Sequence, residues 1–384
     1  MKKALVTLVA LMMALSFVAC AAAPATQEAA AATDAATTAP DASAATEAPA
    51  EAKPIKIAYT SGIKGDNGYN DEAWQGLLEA AEKYDFEYVS AECDNTDAVA
   101  TESLIRGYAE DGIYDAIISV GTGISSPISA VAADYPEQKF IIIDSYVDDV
   151  PNVMSIGAID AHQAFLSGVL SGILTLGGYQ DIAPMTNDKG LISYCIGMDS
   201  PTQRAGAVGY MAGVKYVNPD CVINYTVIGS FSDPVTAKEV TSNNISLGAD
   251  ICTGNCGAGA LGILEACKES GAYFISTSPS TTDPDYSICT SLKRVNVGVQ
   301  LAVAATVENT FESGTHRYGL DTGYCEIGLD NIKIQYPAEI LAALDAARQA
   351  VKDGTLVLPS DIPELDTWAA SNHLDLAQFN VKVS

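Results

Sequence analysis

From residue 53 onward the chain alternates short apolar runs with amphipathic stretches two to three times as long, and few folds accommodate that rhythm. The runs at 55–59, 116–120, 140–143, 191–196, 222–228, 249–252, 273–276 and 287–292 are rich in Ile, Val, Ala and Tyr. Their flanks are rich in Gly, Ser, Asn and Asp, the signature of buried strands. Helical stretches lie between them, at 201–217, 234–247, 260–270, 295–313 and 337–352. Another opens near Asn70 and Asp71, with Trp74, Leu77, Leu78 and Ala81 recurring on one face. Strand followed by helix, over and over, implies parallel sheets covered on both faces. There are too many such strands for one compact sheet, so the spacing predicts two α/β lobes.

Ligands of open α/β sheets sit beyond the carboxyl ends of the strands. The corresponding loops run over 61–70, 121–126, 144–149, 197–203, 229–233, 253–259 and 277–283. They abound in Gly, Ser, Thr, Asn and Asp, and Lys64 is their only basic residue. Such a surface suits a neutral, polar small molecule, with Tyr69 and Phe231 available for stacking. Equally, these residue types dominate turns everywhere. A formal charge of −28 argues against nucleic acid or an anionic lipid surface as partner. The chain has no nucleophile elbow or Walker-type loop, the glycines of 253–262 do not match a dinucleotide fingerprint, and His162, His316 and His373 are scattered. Catalysis, a metal and a cofactor are therefore not expected. Apart from Cys20, the cysteines include several inside strand-like runs, where a thiol acts as a small core residue.

The first twenty residues read as an export signal. Lys2 and Lys3 precede an apolar run over 4–19 that ends in Phe17-Val18-Ala19-Cys20, resembling a bacterial lipoprotein cleavage site. A lipid on Cys20 would tether the mature chain to the membrane's outer face. Residues 21–53, nearly all Ala, Thr, Pro, Glu and Asp, lack the bulky apolar surface that offsets ordering entropy and read as a disordered tether. No later apolar run is long enough to cross a bilayer.

Several stretches resemble a known family when taken in order. They are 66–76 (DNGYNDEAWQG), 140–145 (FIIIDS), 165–168 (FLSG), 196–201 (IGMDSP) with 209–214 (GYMAGV), 229–234 (GSFSDP) and 248–251 (GADI). Together, over about 55–355, they are similar to the basic membrane protein, or PnrA-like, family of ABC-transporter substrate-binding lipoproteins, whose best understood members are purine-nucleoside receptors. The tail after Leu358 has no counterpart in that resemblance.

The resemblance implies a type I periplasmic-binding-protein-like fold, two Rossmann-like lobes joined by three hinge crossovers near 157–160, 278–281 and 319–324. The first lobe would be 54–158 with 280–322, the second 159–279 with 323–384. It further implies that Tyr69 stacks on a base, that Asn70 and Asp66 belong to the same motif, and that Lys293 reaches ribose hydroxyls. Asp144 belongs to the family's recurring text, as a contact or a turn residue, and Thr122 lies in a cleft loop. Thr253 stands where the family has a second stacking phenylalanine, Ser278 where it has a ribose-binding aspartate, and Thr60 or Ser61 where it has another aspartate. Losing carboxylates removes charge-assisted hydrogen bonds of about 1.5–3 kcal/mol each. The expected ligand is thus a nucleoside-like or other aromatic, hydroxylated solute. The expected protein is a monomeric receptor delivering it to an ABC permease, the alternatives being a ligand-sensing surface receptor or import of a non-nucleoside solute.

Overall fold

The structure, a computed structural model, describes residues 53–65, 68–94 and 97–384. The expected signal segment with Cys20, all of the tether except Lys53, and Asp66 lie outside the described residues. Five strands come first: β1 (Lys56–Ser61), β2 (Glu87–Glu92), β3 (Ala116–Val120), β4 (Phe140–Ile143) and β5 (Val153–Ala158). Then come β6 (Leu191–Ile196), β7 (Val222–Val227), β8 (Ile251–Asn255), β9 (Tyr273–Ser276) and β10 (Ser287–Lys293), and last β11 (Gly314–Tyr318) and β12 (Cys325–Gly328). They form two six-stranded sheets, ordered β11-β5-β4-β3-β1-β2 and β12-β10-β9-β8-β6-β7. Every pairing is parallel except that of β12 with β10. This is the α/β architecture that the strand-helix alternation implied.

The interior strands read as unbroken apolar runs because both faces are covered: β3 and β4 are buried at every position. Edge strands were harder to see in the sequence. β2 is mostly exposed, and β11 alternates between exposed and half-buried residues, so neither carries an apolar run. The helix Tyr69–Lys83 buries Ala73, Gly76, Leu77 and Ala80. Its buried face is therefore turned from the expected Trp74, Leu77, Leu78, Ala81 stripe, and Leu78 is exposed. The small residues Ala73, Gly76 and Ala80 let the helix approach Val295–Val307 closely, while Trp74 lies at the rim with the Lys64 ammonium 3.8 Å over its ring.

Two of the motif stretches meet each other. The helices Asp160–Leu174 and Pro201–Val217 cross backbone to backbone: a Cβ on Gly168 would sit 2.1 Å from Tyr210 O, and one on Gly213 would sit 2.0 Å from Phe165 O. Only glycine permits that approach, so the glycines of 165–168 and 209–214 are packing residues of one rigid helix pair.

The chain passes from the first sheet to the second between β5 and the helix Asp160–Leu174, and again between β11 and β12. The remaining passage is not at 278–281. β10, which the 280–322 boundary placed with the first lobe, pairs in parallel with β9 and antiparallel with β12 in the second sheet. The chain returns only at 293–295, where the helix Val295–Val307 packs on the first sheet. The loop before β10 is a hydroxyl-laced turn, Ser276 Oγ lying 2.6 Å from both Ser278 O and Thr281 Oγ1. Its polar, Pro-containing sequence resembles a hinge, but hydrogen bonding keeps it on its own side. The tail packs on the second half: Trp368 lies 6.1 Å from the Tyr216 ring, Leu374 N donates to Tyr216 O, and Val383 bridges Gly177.

Candidate ligand-binding site

A cavity of about 380 Å³ opens where loops from the two sheets face each other. The first sheet contributes Thr122, Gly123 and Ser125 after β3 and Asp144, Ser145 and Tyr146 after β4. The second contributes Ser200, Thr202 and Gln203 at the start of the helix Pro201–Val217, and Phe231 after β7. Asp160 and Lys293 come from two of the passages between sheets. All are at strand ends or helix starts, as the strand-tip rule requires.

The Asp144–Lys293 ion pair lines it, and a second pair reaches it through Asp160 alone. Lys293 Nζ lies 2.6 Å from Asp144 Oδ2, with side-chain exposures of only 19% and 4%. Burial works against the Lys293 charge, but Asp144 and then Asp160 outweigh it and hold the ammonium above its usual pKa. Asp160 is pushed up by burial, with Lys293 opposing. It pairs with Arg317 at 3.3 Å, and the Arg317 guanidinium lies 3.6 Å over the Tyr146 ring. Asp144 occupies the left-handed backbone region at φ 64, a conformation that Asp tolerates better than most residues. The two carboxylates and two cations compensate one another in charge.

Phe231 supplies a flat apolar surface on the opposite wall, 45% exposed. Its ring lies against Gly197: a Cβ there would stand 2.4 Å from Phe231 Cδ1 and 2.7 Å from Cε1. Gly197 thus makes room for the ring at this angle.

Of the residues expected from sequence, Thr122, Asp144, Phe231 and Lys293 line this one cavity, whereas Ser61, Tyr69, Asn70, Thr253 and Ser278 do not; Asp66 lies outside the described residues. Tyr69 begins its helix with the ring half-buried against the first core and its hydroxyl buried without a hydrogen-bond partner. Burial, then the Asp144 charge, pushes that hydroxyl's pKa well up. The Asn70 amide lies over Gly62. Ser61 is buried and donates to Gly62 O at 3.3 Å, while Thr60 donates to Ser119 Oγ at 2.9 Å. Thr253 is buried and donates to Ile275 O at 3.0 Å; it lines a separate void of about 10 Å³. Ser278 Oγ pairs with Ser280 Oγ at 2.9 Å. These hydroxyls are occupied at home, which sequence could not reveal. Tyr146, Asp160 and Gln203 escaped the sequence reading; only the nearness of Asp160 to a crossover could have flagged it. Phe231 did stand out there, as an aromatic in a polar loop.

His162 sits at a passage between sheets, yet its Nδ1 accepts from Leu320 N at 3.3 Å and burial depresses its pKa. It holds the turn 319–324 in place. Among the described residues no group of three or more His, Cys, Asp and Glu is placed to hold a metal. The described cysteines other than Cys93 are free thiols, and all of those are buried.

Comparison with known proteins accords with this geometry. A family model described as "ABC transporter substrate-binding protein PnrA-like" matches residues 56–353. The chain is 26% identical over 335 residues to an ABC transporter nucleoside-binding protein BmpA of Lactococcus lactis, covering 80% of this chain and 89% of that one. It is 28% identical over 308 residues to an uncharacterised lipoprotein of Pyrococcus abyssi, covering 75% and 72%. Among solved structures, an ABC transporter solute-binding protein from Aeropyrum pernix has the same fold, with TM-score 0.67, 24% identity and coverage of 84% and 100%. The tail past residue 353 lies outside the family match. With two six-stranded sheets facing across a polar cleft and the family's sequence running through both, this chain belongs to the PnrA-like family of ABC transporter substrate-binding proteins.

Proposed function

We propose that this chain is a lipid-anchored, extracytoplasmic receptor that captures a nucleoside-like solute in the 380 Å³ cavity and delivers it to an ABC permease. The observation that carries this reading is the pairing of a flat wall with a charged, compensated one. Phe231 offers a ring face, and across the cavity the Asp144–Lys293 pair offers an acceptor and a donor suited to vicinal hydroxyls. A ligand with one aromatic end and one hydroxylated end satisfies both. The Lactococcus relative's name supports the same class. Closure of the two halves would trap the solute by stabilising the closed population, the passages between sheets absorbing the backbone change. The anchor at Cys20 rests on the sequence, and the Pyrococcus relative is called a lipoprotein.

The test is to denature purified protein, identify released solute by mass spectrometry, and titrate guanosine, inosine, adenosine, uridine and the free bases by calorimetry. Nucleosides binding tighter than their bases support the reading. Release of an aliphatic or acidic solute, with no nucleoside bound, overturns it.

A further inference from the structure

We infer that Gln203 sets the solute specificity of this cleft by accepting a hydrogen bond from an N–H group on the ligand's aromatic end; this rests on the nucleoside-like reading above. Gln203 is 7% exposed, yet it lines the cavity. Its Oε1 is buried and has no hydrogen-bond partner in the protein. Buried carbonyl oxygens nearly always have a partner in the protein or in water, so this one is open to a donor from outside the protein.

The surroundings favour the acceptor. Across the cavity, three polar groups are already engaged: Asp144 with Lys293, Asp160 with Arg317, and Ser145 Oγ donating to Gly121 O at 2.7 Å. Gln203 sits on the same wall as Phe231, the ring proposed to stack. An amide beside a stacking ring meets the edge of a heterocycle, where its exocyclic amine or lactam N–H lies. The helix that carries the amide is held in place. Ser200 caps the helix by accepting from Gln203 N at 3.3 Å, Pro201 opens it, and the glycine-mediated crossing with Asp160–Leu174 fixes its axis. A buried acceptor discriminates because a guest lacking the donor leaves it unpaired.

The test compares wild type with Gln203→Met, an unbranched apolar replacement of similar length. Paired ligands differ by one donor: adenosine against purine riboside, guanosine against inosine, and inosine against 1-methylinosine. Wild type should favour the donor-bearing member of at least one pair by about tenfold or more, and Gln203→Met should cut that ratio to below about threefold. The unliganded variant should melt at the wild-type temperature or above, because its buried orphan oxygen is gone. An unchanged ratio in all three pairs, or a lower melting temperature with discrimination intact, overturns the inference and makes Gln203 a packing residue. If wild type binds no nucleoside, the functional reading fails separately. The melting temperature of the unliganded variant then decides: a rise supports the strained acceptor, and a fall overturns it.

Discussion

Replacing Gly197 by Ala should impair ligand binding while leaving the fold nearly untouched. A Cβ at position 197 would stand 2.4 Å and 2.7 Å from two carbons of the Phe231 ring, about an ångström inside normal contact. The three heavy atoms nearest that Cβ all belong to this one side chain. Phe231 is 45% exposed, so its ring can swing toward solvent, and the stability cost should stay within about 1 kcal/mol. Binding would lose the platform. Stacking of a base on an aromatic side chain contributes about 1–3 kcal/mol, which corresponds to a dissociation constant roughly 5- to 150-fold weaker. Phe231→Ala should give a loss of the same size. The double variant should be no worse than either single one, since both remove the same surface. Isothermal titration with guanosine, inosine and adenosine measures the affinities, and scanning calorimetry monitors the fold. Wild-type affinity in either single variant, or losses that add fully in the double, would refute the claim that Gly197 acts through Phe231.

Lys293→Met leaves the buried Asp144 carboxylate without its countercharge and should cost about 3–5 kcal/mol at neutral pH, measured by urea unfolding. A deficit below about 1 kcal/mol would count against the pair. Asp250, 2% exposed, is pushed up to about 7 by burial, against the opposing hydrogen bond from Asn187 N at 2.7 Å. Its unfolded counterpart loses its proton near 3.9, so across about pH 4 to 7 the folded form holds the extra proton and stability falls as pH rises. Asp250→Asn should therefore gain a few kcal/mol relative to wild type between pH 5 and pH 8; parallel melting curves at the two pH values would contradict this. Cys20→Ala should release the protein from the membrane fraction, and continued sedimentation with membranes would dismiss the lipid anchor.

Periodicity and turn chemistry are local properties, which is why one chain read alone determined so much. The apolar runs of β3 and β4 and the helix over 201–217 follow from neighbours within a few positions. So does the placing of cavity loops at strand ends, which put Thr122, Asp144 and Phe231 in view. Other features depend on partners far away in sequence. Hydrogen bonding decided that β10 belongs with β9 and β12, moving a chain passage from 278–281 to 293–295. Pairing with Ile275 likewise withdrew the Thr253 hydroxyl from the cleft. Only the folded chain brings Lys293 to Asp144 and buries the amide oxygen of Gln203 without a protein partner, since charge compensation and desolvation arise from three-dimensional neighbours.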